Sequence, residues 1–340
     1  MPVADDHAPT TSRQLEVHLP TMRGYAAYLD RTSADLGAIA HRARTSCSNA
    51  DFGRMLEDLC GDYETLLPVL HEMLAEQERI MQRYGVAVDA LTMDFERTDD
   101  GVAQAFGGAD SITGGGSTST AFAGLGPTGS VPTPYPTESE IPEVSFGFVF
   151  DKLAWALEEF CGFDVRREVT DYLAGDVVGL TTQAICWEQI GTRVGQHRDG
   201  LVVAQRLAST DWEGDAATSH FAAMIGWDQP LEDQTTKLPE LGGYLRDLGR
   251  QAVHTAQFVV DCIRLAIDLI LGAWSLMYIP IVGQARFVKK AWDAYKQASK
   301  ATAYLRMLWS FIRTVKDYFV VLHDTLTPAH LPAAPQTVAR

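Results

Sequence analysis

The most chemically reactive residues of this chain do not form a set that is typical of a catalytic or metal site. The histidines show neither H-x-x-x-H nor H-E-x-x-H spacing, and the chain contains no G-K-[ST] and no G-x-S-x-G. The many carboxylates fall at helix positions that face solvent, which is usual for a charged helix surface. We therefore expect a non-catalytic protein with no cofactor and no bound metal.

The five cysteines favour packing over chemistry. They contain no C-x-x-C pair and their number is odd, so they do not indicate a metal or redox motif. Cysteine in such a setting is most simply a small apolar filler. Cys47 and Cys60 flank a candidate turn, so a bridge across a helical hairpin stays open as an alternative. The five residues are Cys47, Cys60, Cys161, Cys186 and Cys262.

A stretch rich in Gly, Ser, Thr and Pro over 107–143 divides the chain. It buries too little apolar surface to offset its ordering entropy, so we expect a disordered, flexible linker. It contains Gly124-x-Gly126-x-x-Gly129, a formal match to a dinucleotide fingerprint. No strand precedes this match and Pro127 lies inside it, so we interpret it as chance.

The region 12–106 has a helical period in two parts. Thr65 is expected to cap a helix that carries Pro68 in its first turn. Two antiparallel helices that face each other explain this pattern most simply. The first apolar stripe is Met22, Tyr25, Leu29, Leu36, Ile39, Ala43 and Cys47, and the second is Leu59, Leu66, Leu70, Met73, Ile80, Tyr84, Val88, Leu91 and Phe95.

The region 144–326 keeps the helical period, and no stretch alternates with period two for long enough to indicate a strand. Its long helix 180–208 carries His197 on the inner stripe, where a histidine is usually a hydrogen-bonded packing residue. A Pro/Ala-rich tail, 327–340, is expected to be loose. The fold class is therefore all-α, with a helical hairpin joined by a linker to a larger helical bundle.

Charge and hydropathy restrict the partners. The net charge is −16, which disfavours nucleic acid as a partner, although residues 285–340 carry 9 Lys and Arg against 3 Asp and Glu.

The apolar run 269–282 is about 14 residues long, shorter than the roughly 20 that a membrane span needs. We expect it to pack in a hairpin with the basic last helix. The alternative is a membrane-active helical protein, lipid-binding or pore-forming, that lies on anionic lipid.

The strongest local signal is Trp212-Glu213-Gly214 between two amphipathic segments. Gly214 can adopt the backbone conformation that a tight turn requires. The indole of Trp212 can cover the open end of a helix pair, and the small side chains of Ala216 and Ala217 let the next helix approach closely. The sequence therefore predicts an inter-helix turn at Trp212.

The run W-E-G-D-A-A-T-S-H-F resembles the Trp-x-Gly proteins of the actinobacterial type VII (ESX) secretion system. The amino-terminal hairpin is similar to the secretion-associated relatives of that system, with Asp51-Phe52-Gly53 where those proteins turn. The resemblance covers roughly 12–106 and 165–275. It implies helical hairpins that commonly act as dimers, and hence a helical protein partner or self-association, together with contact with the secretion machinery.

Two segments resemble the Tyr-x-x-x-Asp/Glu export signal of this family. Tyr172-Leu173-Ala174-Gly175-Asp176 has the spacing but precedes the Trp-x-Gly hairpin, so a structural corner is the competing interpretation. The segment from Phe95 to Asp99 follows a predicted helical hairpin, with Phe in place of Tyr. We expect Phe95 and Asp99 to contribute more to export than Tyr172 and Asp176.

The start of the chain, 1–11, has neither the basic nor the apolar region of a signal peptide. We therefore expect a secreted or cell-envelope protein that leaves the cytoplasm by a route independent of a signal peptide. The sequence indicates a non-catalytic type VII secretion substrate or accessory protein that acts through helix–helix interactions.

Overall fold

A computed structural model describes residues 17–48, 52–53, 56–105, 117–137, 175–276 and 306–335. The structure is 81% helical, which confirms the all-α fold class predicted from the sequence. Within the described residues the β-structure is a single isolated bridge between Val17 and Trp212. The helices are α1 (Leu19–Ser46), α2 (Glu57–Ala105), α3 (Val177–Ser209), α4 (Asp215–Ile225), α5 (Asp228–Leu276) and α6 (306–325), with 3-10 turns at Thr120–Phe122 and Pro328–His330.

Helices α1 and α2 form the predicted amino-terminal hairpin through their apolar stripes. Pro68 lies inside α2, which continues without interruption, so the predicted helix start at this proline is wrong. The hydroxyl of Thr65 donates to the carbonyl of Gly61 at 2.7 Å within the helix and therefore does not cap it. The cost of a proline within a helix is offset here by the long buried face of α2.

Helices α3 and α5 make the second hairpin, and small residues bring them close together. A Cβ added at Gly191 would lie 2.4 Å from Pro239, and one added at Gly242 would lie 2.5 Å from the carbonyl oxygen of Ala184. Each distance is shorter than any real contact of a Cβ atom. Glycine is therefore required at both positions for the helices to pack at this separation.

Helix α6 lies between α2 and α5. Lys316 forms an ion pair of 3.0 Å with Asp62 of α2, and the Tyr318 hydroxyl donates to the carbonyl of Lys237 of α5 at 2.8 Å. The helix therefore packs against both hairpins. Its buried face repeats every three or four residues, at Leu308, Ile312, Val315, Phe319 and Leu322.

The two hairpins share one hydrophobic core among the described residues. Helix α1 runs antiparallel to α3: the amide of His18 donates to the carbonyl of Asp211 at 2.9 Å near one end, and Asp35 meets Arg193 in the middle. In this arrangement the apolar faces of the two hairpins are buried against each other.

Part of the expected linker and part of the expected loose tail are packed. The side chain of Phe122 is 1% exposed, and the amide of Ser119 donates to the carbonyl of Pro20 at 2.9 Å, so 117–137 lies on α1. In the tail, the Tyr84 hydroxyl donates to the carbonyl of Ala333 at 2.9 Å. A few buried or hydrogen-bonded residues thus hold these stretches in place, although their composition is typical of flexible chain. The remaining residues of both stretches lie outside the described residues.

The apolar run 269–282 lies partly within α5, whose backbone is helical to Leu276. Its predicted packing against the last helix concerns side chains outside the described residues. Among the described residues, none of the helices combines the length and the apolar character needed to cross a bilayer.

Candidate functional site: the Trp-x-Gly corner and the seam between the hairpins

The Trp-x-Gly motif lies at a sharp corner between α3 and α4. Gly214 has a φ of 114°, a conformation that residues with a side chain rarely adopt, and it directly precedes α4. Trp212 is 3% exposed, and its ring lies 5.1 Å from that of His220 and 5.3 Å from that of Phe221. The predicted turn therefore forms, and the indole is buried against two rings of α4.

The corner is more elaborate than a simple hairpin turn. The short α4 leads to a second corner, where Trp227 is fully buried. The long helix α5 begins only after this second corner. The start of α1 closes the first corner, because Val17 pairs with Trp212 and the Thr21 hydroxyl donates to a carboxylate oxygen of Asp211 at 2.5 Å. The amino-terminal hairpin thus covers the motif.

His220 joins the corner to both helices of the amino-terminal hairpin. Its Nε2 atom lies 3.0 Å from the Tyr25 hydroxyl, and its ring packs edge-on against those of Tyr25 and Tyr84. Burial lowers the pKa of His220 to about 4, because an imidazolium loses its hydration among these rings. His220 is therefore neutral near pH 7.

The seam is the contact between α1 and α3, and its centre is a cluster of Asp35, Arg193 and His197. Arg193 donates to both carboxylate oxygens of Asp35, at 2.6 and 2.7 Å, and His197 Nε2 lies 2.6 Å from Asp35. Burial raises the pKa of Asp35, but the hydrogen bonds from His197 and Arg193 outweigh it and lower the pKa to about 2. The predicted packing role of His197 agrees with this contact.

The same cluster holds the glycine-rich segment. Arg193 also donates to the carbonyls of Gly129 and Ser130, at 2.5 and 3.3 Å. The formal dinucleotide match therefore lies against a buried arginine that is already paired with Asp35. Gly129 therefore has a structural role, because it is held by a contact to which both α1 and α3 contribute.

A second polar chain crosses the core between the hairpins. The Tyr63 hydroxyl donates to Gln183 Oε1 at 2.7 Å and accepts from Trp187 Nε1 at 2.9 Å. All three side chains are buried, so these hydrogen bonds satisfy polar atoms that would otherwise be costly inside the core. The ring of Phe52 packs 5.4 Å from that of Tyr63.

Phe52 and Gly53 lie between α1 and α2, where the sequence predicts the first turn. Phe52 is fully buried, and Gly53 has a φ of 68°. The backbone at Gly53 is left-handed, as a tight turn requires, and the Phe52 ring belongs to the hydrophobic core. Each turn motif thus has a buried aromatic residue one or two positions before a glycine with positive φ.

The two candidate export signals lie in different structural settings. Phe95 and Asp99 lie inside α2, which extends to Ala105, so this segment does not follow the helix as expected. Asp176 is the N-cap of α3 and accepts a hydrogen bond from the amide of Gly179 at 2.8 Å. The described contact of Asp176 is that of a structural corner. Tyr172 lies outside the described residues.

In the described part of the chain, no three His, Cys, Asp or Glu side chains are grouped as metal ligands would be.

Sequence reasoning missed Asp35, Arg193 and Tyr63. Asp35 was missed because a charged residue at a helix position usually faces solvent, and because its partner is 158 residues away in the chain. Polar residues beside an apolar helical stripe were the available signal.

No family model, curated protein or solved structure matches this chain. Function is therefore inferred from the residues and their geometry.

Proposed function

We propose that this chain is a non-catalytic substrate or accessory protein of a type VII secretion system, and that it acts through helix–helix contacts. One observation carries the proposal: Trp212 is buried at a helix corner, two positions before Gly214, whose φ is 114°. A Trp-x-Gly turn in this setting is the feature by which the chain resembles the Trp-x-Gly proteins of that system.

The packing of the hairpins supports a specific version of this proposal. Related hairpins commonly act as dimers, and here the α1–α2 hairpin lies against α3 through the paired Asp35 and Arg193. The amino-terminal hairpin thus occupies a face that a second hairpin would otherwise cover. The chain carries its own partner for the Trp-x-Gly hairpin, and any external partner binds elsewhere.

The secretion machinery would recognise the carboxyl-terminal part of α2 in this proposal. Phe95 is half-buried, and Arg23 pairs with Glu96. A signal within a helix has its residues at fixed spacing along the backbone. Phe95 and Asp99 are four positions apart in α2.

The test is export from a host with an active type VII system. The tagged full chain is expressed in this host and in a matched host whose secretion ATPase is deleted, and both culture media are assayed together with a cytosolic lysis marker. The chain should reach the medium only when the ATPase is present. Equal amounts in the two media, or none in either with the protein stable inside the cells, would contradict the proposal.

Exposed apolar residues on α6 favour a second candidate, a protein that lies on anionic lipid. Trp309 is 53% exposed and Met307 is exposed nearby, with Arg306 and Arg313 on the same helix. An indole beside cationic side chains is typical of helices that bind at a membrane surface. Sedimentation with phosphatidylglycerol vesicles, against neutral vesicles, tests it. Absence of sedimentation at low salt rejects this candidate.

A further inference from the structure

A proline-rich stretch between the two hairpins has a backbone that its own sequence restricts. Residues 131–137 read V-P-T-P-Y-P-T, so each residue from 131 to 136 either is a proline or directly precedes one. The proline ring fixes φ near −65°, and a residue before proline is restricted to extended conformations. The described residues contain no cis peptide bond, and 131–137 lie in neither a helix nor a strand. These restrictions favour a left-handed polyproline II helix.

The burial of the side chains has the period of such a helix. A polyproline II helix has three residues per turn, so residues three positions apart share a face. Val131 and Pro134 are buried, whereas Pro132 and Tyr135 are exposed, and the side chain of Tyr135 is 80% exposed. One face of the stretch therefore packs on the protein. The face that contains Pro132 and Tyr135, here called the Pro–Tyr face, is open to solvent.

Two arginines hold the stretch in place. Arg193, in the seam, donates to the carbonyls of Gly129 and Ser130, which directly precede the stretch, at 2.5 and 3.3 Å. Arg42 of α1 donates to the Thr133 hydroxyl at 3.2 Å. The Pro–Tyr face is therefore ordered before any partner binds it. A partner would lose less conformational entropy on binding this face than on binding a free peptide of the same sequence.

We propose that the Pro–Tyr face is a docking surface for a protein domain whose groove is lined by aromatic side chains and recognises polyproline II peptides. In such a groove, aromatic rings pack against the proline side chains of the ligand. Tyr135 adds a large, rigid ring to the ligand, and exposed tyrosines of this kind contribute strongly to binding at protein interfaces.

The chemistry of the stretch favours this class of partner over two others. Residues 131–137 carry no charged side chain, so an anionic membrane or a strongly charged groove gains no ion pair from them. Pro132, Pro134 and Pro136 have no backbone N–H, which disfavours docking by addition of a β-strand. Ring packing and hydrogen bonds to the backbone carbonyls are the remaining interactions, and an aromatic groove that contains a tryptophan indole supplies both.

The experiment titrates the purified full chain with three purified domains that recognise polyproline II peptides: an SH3 domain, a WW domain and an EVH1 domain. Isothermal titration calorimetry measures the affinity of each. We expect at least one domain to bind, with one domain per chain. Absence of binding by all three domains would overturn the proposal. The inference goes beyond the proposed secretion function, and an export defect would leave the result of this titration unchanged.

Matched variants locate the contact. Pro132→Ala and Tyr135→Ala should each weaken binding about tenfold or more, because each removes a side chain that enters the groove. Ile225→Ala is the control, since it removes a side chain on α4 that is 68% exposed, and it should leave binding unchanged. All three positions are exposed, so each variant should keep the melting temperature of the wild type. Equal affinity for the wild type and both variants of the stretch would also overturn the proposal.

Sedimentation of the chain alone tests a different occupant of the Pro–Tyr face, a second copy of the chain. The wild type and Tyr135→Ala should sediment identically, which supports a separate partner domain. A wild-type dimer that Tyr135→Ala converts to a monomer would assign the face to self-association and overturn the proposal.

Discussion

Asp35 of α1 and Arg193 of α3 face each other across the seam with two hydrogen bonds, at 2.6 and 2.7 Å, although 158 positions separate them in the chain. His197 contacts the same carboxylate, and the arginine also holds the carbonyl of Gly129. One bidentate pair thus connects both hairpins and the glycine-rich segment between them. We expect it to contribute more to stability than the ion pairs at the surface.

Replacing Arg193 by Met should therefore be strongly destabilising. The carboxylate of Asp35 would stay in the seam without its main partner, and breaking a buried pair in this way costs about 3 kcal/mol or more. Arg198→Met is the matched control, since Arg198 pairs with Asp228 at the surface and should contribute about 1 kcal/mol or less. Denaturant unfolding measures both. Equal losses for the two variants would contradict a special role for the seam.

Acid should weaken the seam below about pH 4. The pKa of Asp35 is about 2 in the folded chain, below its value of about 3.9 in an unfolded chain. The stabilisation is therefore complete above about pH 4 and is lost as the pH falls toward 2, by about 2 kcal/mol. Asp35→Asn should be less stable at pH 7 and should lack this part of the acid dependence. A parallel pH profile for wild type and variant would refute the assignment.

His220 should produce a separate acid transition at higher pH. Its folded pKa is about 4 against about 6.5 for an unfolded histidine, so the unfolded chain binds the proton more tightly. Stability is complete above about pH 6.5 and is lost as the pH falls to about 4. His220→Gln keeps a polar group near Tyr25 and removes the titration. Its melting temperature should change less between pH 7 and pH 4.5 than that of the wild type.

Trp212 should be essential for stability. Replacing the buried indole by alanine should cost about 3 kcal/mol or more, because the cavity would lie among Phe221, His220 and the start of α1. Trp309→Ala is the control, since that indole is half exposed. An unchanged denaturation midpoint for Trp212→Ala would argue against the corner as a structural element.

The segment 117–137 should resist protease until its anchor is removed. Phe122 is buried against α1, so Phe122→Ala should speed cleavage within 117–137 several-fold. Tyr135→Ala should leave the rate unchanged, because Tyr135 is 80% exposed. Limited proteolysis followed by mass spectrometry gives the cut sites. Rapid cleavage at these residues in the wild type would support a free linker instead.

Export variants should separate the two signal candidates. Asp99→Ala should reduce secretion, whereas Asp176→Ala should leave secretion intact and cost about 1 kcal/mol of stability through the lost N-cap at Gly179. Asp176→Asn keeps a capping oxygen and should restore stability. Loss of export in Asp176→Ala and also in Asp176→Asn would instead assign the signal to Asp176.

The sequence by itself determined the helical character of the chain and the positions of both turns, but not the course of α2 through Pro68. Helical period is a local property, so the stripe that includes Met22 and Leu29 predicted α1 without knowledge of any partner. Turn glycines are local in the same way. Gly53 and Gly214 have the positive φ expected where a tight turn requires it, and in each case the neighbouring aromatic side chain is buried.

Only the tertiary structure decided how these parts combine. The pairing of Asp35 with Arg193, the packing of Phe122 against Tyr25 of α1 and the hydrogen bond from Tyr63 to Gln183 all join residues far apart in the chain. Helical period shows that a face is apolar, but not which other apolar face will cover it. That choice depends on the total fit of every surface in the core, and this fit exists only after the chain has folded.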